Sequence, residues 1–175
     1  MKKLYAWDKG LSYERELKRL KKLLKEEKNP KRLAYYSILL IQLCNGARIS
    51  EAVEGALEWA TTGKREVKVR ARKRTKEEYS RLIRIPSDLS SKHRIAIAGL
   101  KPIGVEKLTD RVKHFCRNQL GYNTHALRYA FITHLTHLGY SPSLIAKITG
   151  HKSLDHILSY TEKQLAEEVL RRLIP

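Results

Sequence analysis

Cysteine is scarce in this chain of 175 residues. Its two thiols, Cys44 and Cys116, each lie in an apolar stretch, "LIQLCNG" and "VKHFCRN". Isolated thiols of this kind build no disulfide framework and read as small buried hydrophobes in a reducing, cytoplasmic setting. Long apolar runs are missing too: none approaches the ~18 residues that mark a membrane-spanning helix. The opening "MKKLYAWDKG" has a basic pair but no long apolar core or small-residue cleavage site, so it does not read as a signal peptide. Glycine and proline number only 9 and 5, as in an ordinary folded domain. The most telling shortage is of acid. There are 18 Asp and Glu against 36 Lys and Arg, a formal charge of +18. Such self-repulsion works against a compact chain unless a polyanion is the partner, and nucleic acid is the leading polyanion. A generally basic soluble protein is the plainer alternative. A membrane surface fits less well, because no helix pairs a clean basic face with a Trp- or Phe-rich one.

What is present is helical periodicity. At this length the chain reads as one domain able to bury its own core. Tyr13, Leu17, Leu20 and Leu24 recur at helical spacing, with Lys and Arg on the other faces. Asn29 as N-cap and Pro30 at the first position open a second helix, "RLAYYSILLIQLC", apolar on most sides and therefore central. Gly46 stops it, and "ISEAVEGAL" offers a third helix capped by Ser50. After Gly63 the period changes to two: "REVKVRARKR" and "RLIRIP" read as an antiparallel hairpin around the polar loop "RTKEE". "RIAIAG" at 94–99 reads as a further short strand. Helices return with "GVEKLTDRVKHFCRNQL", "HALRYAFITHL", a short one after Ser141-Pro142, and "KQLAEEVLRRLI". The expected fold class is mainly α with a small antiparallel β-sheet.

Four features in order carry the chemistry. "NGARISE" places Arg48 in a turn between helices, with Glu51 three residues on. His125 and Arg128 stand one turn apart on a single helical face. Gly150-His151 follows a helix, and Tyr160 comes nine residues later. In this order the segments resemble the catalytic domain of tyrosine recombinases, the phage-integrase and Xer-like family, over roughly Leu33 to Glu162. The resemblance implies a fold, an activity and roles. Tyr160 would attack a backbone phosphodiester, leaving a 3′-phosphotyrosine and a free 5′ hydroxyl. Arg48 and Arg128 would hold the non-bridging oxygens, His125 would accept the phenolic proton, and His151 would bond a phosphate oxygen. Glu51 matches an acidic position in a supporting role. The chemistry suits these residue types: guanidinium is a bidentate, permanently charged donor, and a phenol near pKa ~10 benefits from a base. The covalent link conserves the phosphodiester's energy, so no nucleotide cofactor and no metal are expected.

The family's general acid is a hairpin lysine flanked by glycines. Here Ala71-Arg72-Lys73 replaces that pattern, leaving Lys73 first choice and Lys76 second. Lys68, Arg70, Arg72, Arg74, Lys76, Lys147 and Lys152 are candidate DNA contacts. Double-stranded DNA is the implied partner, with no membrane. The apolar stripe Leu165, Val169, Leu170 and Leu173 suggests that 161–175 forms a helix, exchanged between subunits as dimers to tetramers assemble on DNA, or else packed in cis. Residues 1–175 read as a single catalytic domain with 1–30 as a helical extension and the family's core-binding domain missing, either a fragment or a short enzyme. Other readings stay open. A type IB topoisomerase shares the tyrosine chemistry. "HLGYSPSLIAKITGHKS" also fits a helix-turn-helix reader presenting Ser143, Lys147 and Lys152, with no chemistry. His134 and His137 are spaced for a shared metal but lack further ligands, and read as surface or packing residues.

Overall fold

The structure, a computed structural model, describes residues 10–70, 80–151, 155 and 166–174. Its organising element is the second helix. Helix α1 spans Tyr13–Glu26 and α2 spans Pro30–Asn45. Asn29 accepts the N–H of Arg32 at 3.1 Å with Pro30 behind it, so the start is fixed by capping as the sequence suggests. Every residue from Leu33 to Leu43 is buried. Each large aliphatic side chain removed from water here contributes about 1.5–3 kcal/mol. Gly46 ends α2 in the left-handed region at φ +55°, and a side chain there would run into the Phe131 ring.

Around α2 pack α1, α3 (Ile49–Thr62), α4 (Ser91–Ala98), α5 (Val105–Leu120) and α6 (His125–His137). A short helix, α7 (Pro142–Thr149), lies on α6, and 166–173 are helical. Strands β1 (Glu66–Arg70) and β2 (Ser80–Arg84) pair antiparallel, Val67 opposite Ile83 and Val69 opposite Arg81. The hairpin leans on α3, where Gly55 faces Ile83 so closely that a methyl would have to push it aside. Helix α1 is integral to the core, with Leu20 and Leu24 buried and Glu16 taking a hydrogen bond from the Tyr122 hydroxyl at 2.5 Å.

The sequence misleads at two places. Residues 94–99 are not a strand: 94–98 are the body of α4 and Gly99 is its C-cap. The alternation of "RIAIAG" mimics a strand, yet His93, Ala96 and Ile97 bury at helical spacing while Ile95 is exposed. His93 Nδ1 accepts the backbone N–H of Ser90 at 2.9 Å, which anchors the helix start. Nor does Ser50 cap α3. The cap is Arg48, and the Glu51 carboxylate accepts its backbone N–H at 3.0 Å. His134, as a packing residue, stacks on Tyr13 and meets Glu14 at 2.9 Å. Among the described residues no cluster of His, Cys, Asp and Glu could hold a metal, and no helix is long and apolar enough to cross a membrane.

Candidate active site

Helix ends assemble the site. The end of α2 and start of α3 give the turn 45–48 with Arg48, α6 begins with His125 and Arg128, and α7 ends at Thr149, presenting His151. Asn123 accepts the N–H of Ala126 at 3.3 Å and so fixes where α6 starts. These segments are far apart in sequence, and α2·α6 and α6·α7 packing brings them together.

Arg128 is buried at 3% exposure. Its Nη1 donates to the Gly46 carbonyl at 2.9 Å, and its Nη2 lies 3.0 Å from His151 Nε2. Thr149 Oγ1 donates to the Ile145 carbonyl at 2.8 Å and stands 2.7 Å from His151 Nδ1. The threonine's one proton is thereby used, so the bond to Nδ1 requires the imidazole to donate. Nε2 is then the acceptor for Arg128. Histidine is held neutral: burial first, then Arg128, Arg48 and Arg81, push its pKa down to about 3. Burial, followed by the Arg48 charge, also lowers Arg128 to about 9, which leaves it cationic at neutral pH.

Glu51, fully buried, is the single carboxylate that the described hydrogen bonds place among these cations. Its Oε1 accepts from Arg48 Nη1 at 3.0 Å, and its Oε2 accepts from Arg81 Nη1 at 3.0 Å. Two guanidiniums thus share one carboxylate, and Arg128 is near enough to feel the charges of all three, an excess of positive charge gathered at one place. Arg48 keeps part of its side chain open to solvent, at 23% exposure. His125 is exposed at the start of α6 and close enough to bear on the charge of His151.

Arg48, Glu51, Arg128 and His151 therefore converge, with His125 at the rim. Lys68 and Arg70 point outward from β1, and Lys147 is exposed on α7. Arg72, Lys73, Arg74, Lys76, Lys152 and Tyr160 lie outside the described residues. Two contributors were missed by sequence reasoning. Arg81 is nearly fully buried, and Nη2 donates to the Asn45 carbonyl at 2.7 Å while Nη1 also reaches Thr149 O at 3.2 Å. The signal was available: with Ile83 and Ile85 facing in, a period of two turns Arg81 inward. Asn45 gave no such signal, because its partner is 39 residues away.

Comparison with known proteins gives the family. The phage integrase family model matches residues 13–167, and the chain belongs to that family. It is 42% identical over 140 residues to "Putative integrase ORF241" of Acidianus two-tailed virus, which covers 80% of this chain and 56% of that protein. It is 34% identical over 199 residues to the uncharacterized protein MJ0770 of Methanocaldococcus jannaschii, covering 96% of this chain and 89% of that one. "Putative integrase V10" of Sputnik virophage is 26% identical over 205 residues, covering 97% and 91%. No solved structure matches significantly.

Proposed function

We propose that the protein is a tyrosine recombinase catalytic domain that cuts and rejoins double-stranded DNA through a 3′-phosphotyrosine. The observation that carries this is the convergence of Arg48, Arg128 and His151, held over a single buried carboxylate. A DNA phosphate entering there takes the donors that Arg128 Nη2 now directs at His151. It also brings negative charge beside an imidazole that burial and then the surrounding cations keep neutral, which favours a protonated His151 able to donate. Tyr160 attacks phosphorus, its proton passing to His125. The 5′ oxygen departs with a proton from Lys73, or from Lys76 in the second assignment. Rejoining reverses these transfers, and the fixed cations stabilise the charge on the non-bridging oxygens in both directions.

Residues 1–175 act as one domain in this reading, and Lys68, Arg70, Arg72, Arg74, Lys76, Lys147 and Lys152 hold the duplex by its phosphates. Copies assemble on DNA through the C-terminal helix. Nicked suicide duplexes, from which the cut strand end diffuses away, test the chemistry. Wild-type protein is expected to accumulate a covalent adduct, and Arg48→Ala or Arg128→Ala to bind duplex but lose at least about a hundredfold in adduct rate. Duplex binding without adduct on any sequence would favour a binding-only protein.

A further inference from the structure

Strand β2 is joined to the Arg48 turn in two directions at once. From the turn, Asn45 Nδ2 donates to the Arg84 carbonyl at 2.8 Å and its Oδ1 accepts the Arg84 N–H at 2.9 Å. Asn45 thus pairs with the outer edge of β2 as a third strand would, since Arg84 turns both backbone groups away from Glu66 opposite. The same Nδ2 donates to the Ile41 carbonyl at 2.9 Å, which locks the amide on the end of α2. From the strand, Arg81 reaches back: Nη2 to the Asn45 carbonyl at 2.7 Å, Nη1 to Glu51 at 3.0 Å and to Thr149 O at 3.2 Å. One buried guanidinium therefore bonds the ends of α2 and α7 and the carboxylate that holds Arg48. A side chain spending this many donors inside the core does more than fill space.

We propose that Asn45 and Arg81 are positioning residues: a clasp that fixes strand β2 in register against the arginine pocket, a placement on which proton delivery to the departing oxygen depends. The proposal rests on the recombinase reading above. Its two halves have different duties. Asn45 holds the strand alone, whereas Arg81 holds the strand and, through Glu51 and Thr149, also Arg48 and His151. Loss of Asn45 should then harm proton delivery to the leaving group and spare phosphate activation. Loss of Arg81 should harm both.

The chemistry separates these. In the normal reaction the Tyr160 oxygen bonds to phosphorus, the P–O5′ bond breaks, and the 5′ oxygen leaves with the lysine's proton. With sulfur in place of that bridging oxygen, the P–S5′ bond breaks to a thiolate that leaves without a proton. On a duplex that wild type cleaves, Asn45→Ala is expected to slow adduct formation at least about tenfold with oxygen and less than about threefold with sulfur, given that general acids contribute ~100-fold or more. Arg81→Lys keeps the charge but cannot span its three partners, and should slow both duplexes comparably. Asn45→Asp, which keeps the bond accepted from Arg84, is the second variant should the alanine protein not fold, and shows the same preference for sulfur. Equal losses on both duplexes for the Asn45 variants, or no loss, would overturn the clasp while wild-type cleavage stands. Failure of wild type to form adduct on any duplex would overturn the recombinase reading itself.

Discussion

Glu51 balances two arginines at once, and its removal leaves both without their carboxylate. Breaking a buried ion pair from one side costs about 3–5 kcal/mol. Glu51→Gln is therefore expected to lower unfolding free energy by about 3 kcal/mol in urea titration, and to loosen Arg48 enough to reduce adduct formation further than the stability loss explains. His151 gives a pH signature instead. Its folded pKa, about 3, lies below the ordinary value of 6.5. Between those two pH values the unfolded chain binds a proton that the folded chain refuses, so this group makes stability fall as pH drops from 6.5 toward 3. His151→Gln is expected to flatten that limb of the stability curve, measured by denaturation across the acid range. An unchanged slope would show that the imidazole is not held neutral by its burial and cationic neighbours.

At the scale of elements, what the sequence discloses depends on how local the cause is. Helix α2 was legible because an apolar run, an Asn-Pro start and a Gly stop all sit within it. Helix α4 was not, because two isoleucines alternating with alanine satisfy a strand's period, and the His93–Ser90 bond that starts the helix has no pattern as familiar as a Glu at that position. Arg48, Arg128 and His151 could be found from motif order, while Arg81 and Asn45 owe their roles to partners more than 30 residues away. The C-terminal helix makes its own prediction. Val169, Leu170 and Leu173 are exposed on 166–173. If this face joins copies on DNA, Leu170→Glu should abolish higher-order complexes in native gels and sedimentation with cognate duplex, yet leave the single-copy adduct in place. Complexes that survive the change would assign the helix to packing in cis.

Taken whole, the molecule gathers three arginines at a turn, a strand and a helix start, with α2 packed on α6 and α6 on α7. The charge of +18 explains attraction to DNA in general, and binding should weaken steeply with salt, but it explains no chemistry. In the proposed function the chemistry hangs on one bond, from the Tyr160 oxygen to a DNA phosphorus bound by Arg48, Arg128 and His151. The most direct measurement digests the trapped adduct with trypsin and nuclease and locates the nucleotide by mass spectrometry. The nucleotide is expected on the peptide of residues 153–163, on its one tyrosine, and absent from Tyr160→Phe. A nucleotide on any other side chain, or an adduct undiminished in Tyr160→Phe, would contradict the account.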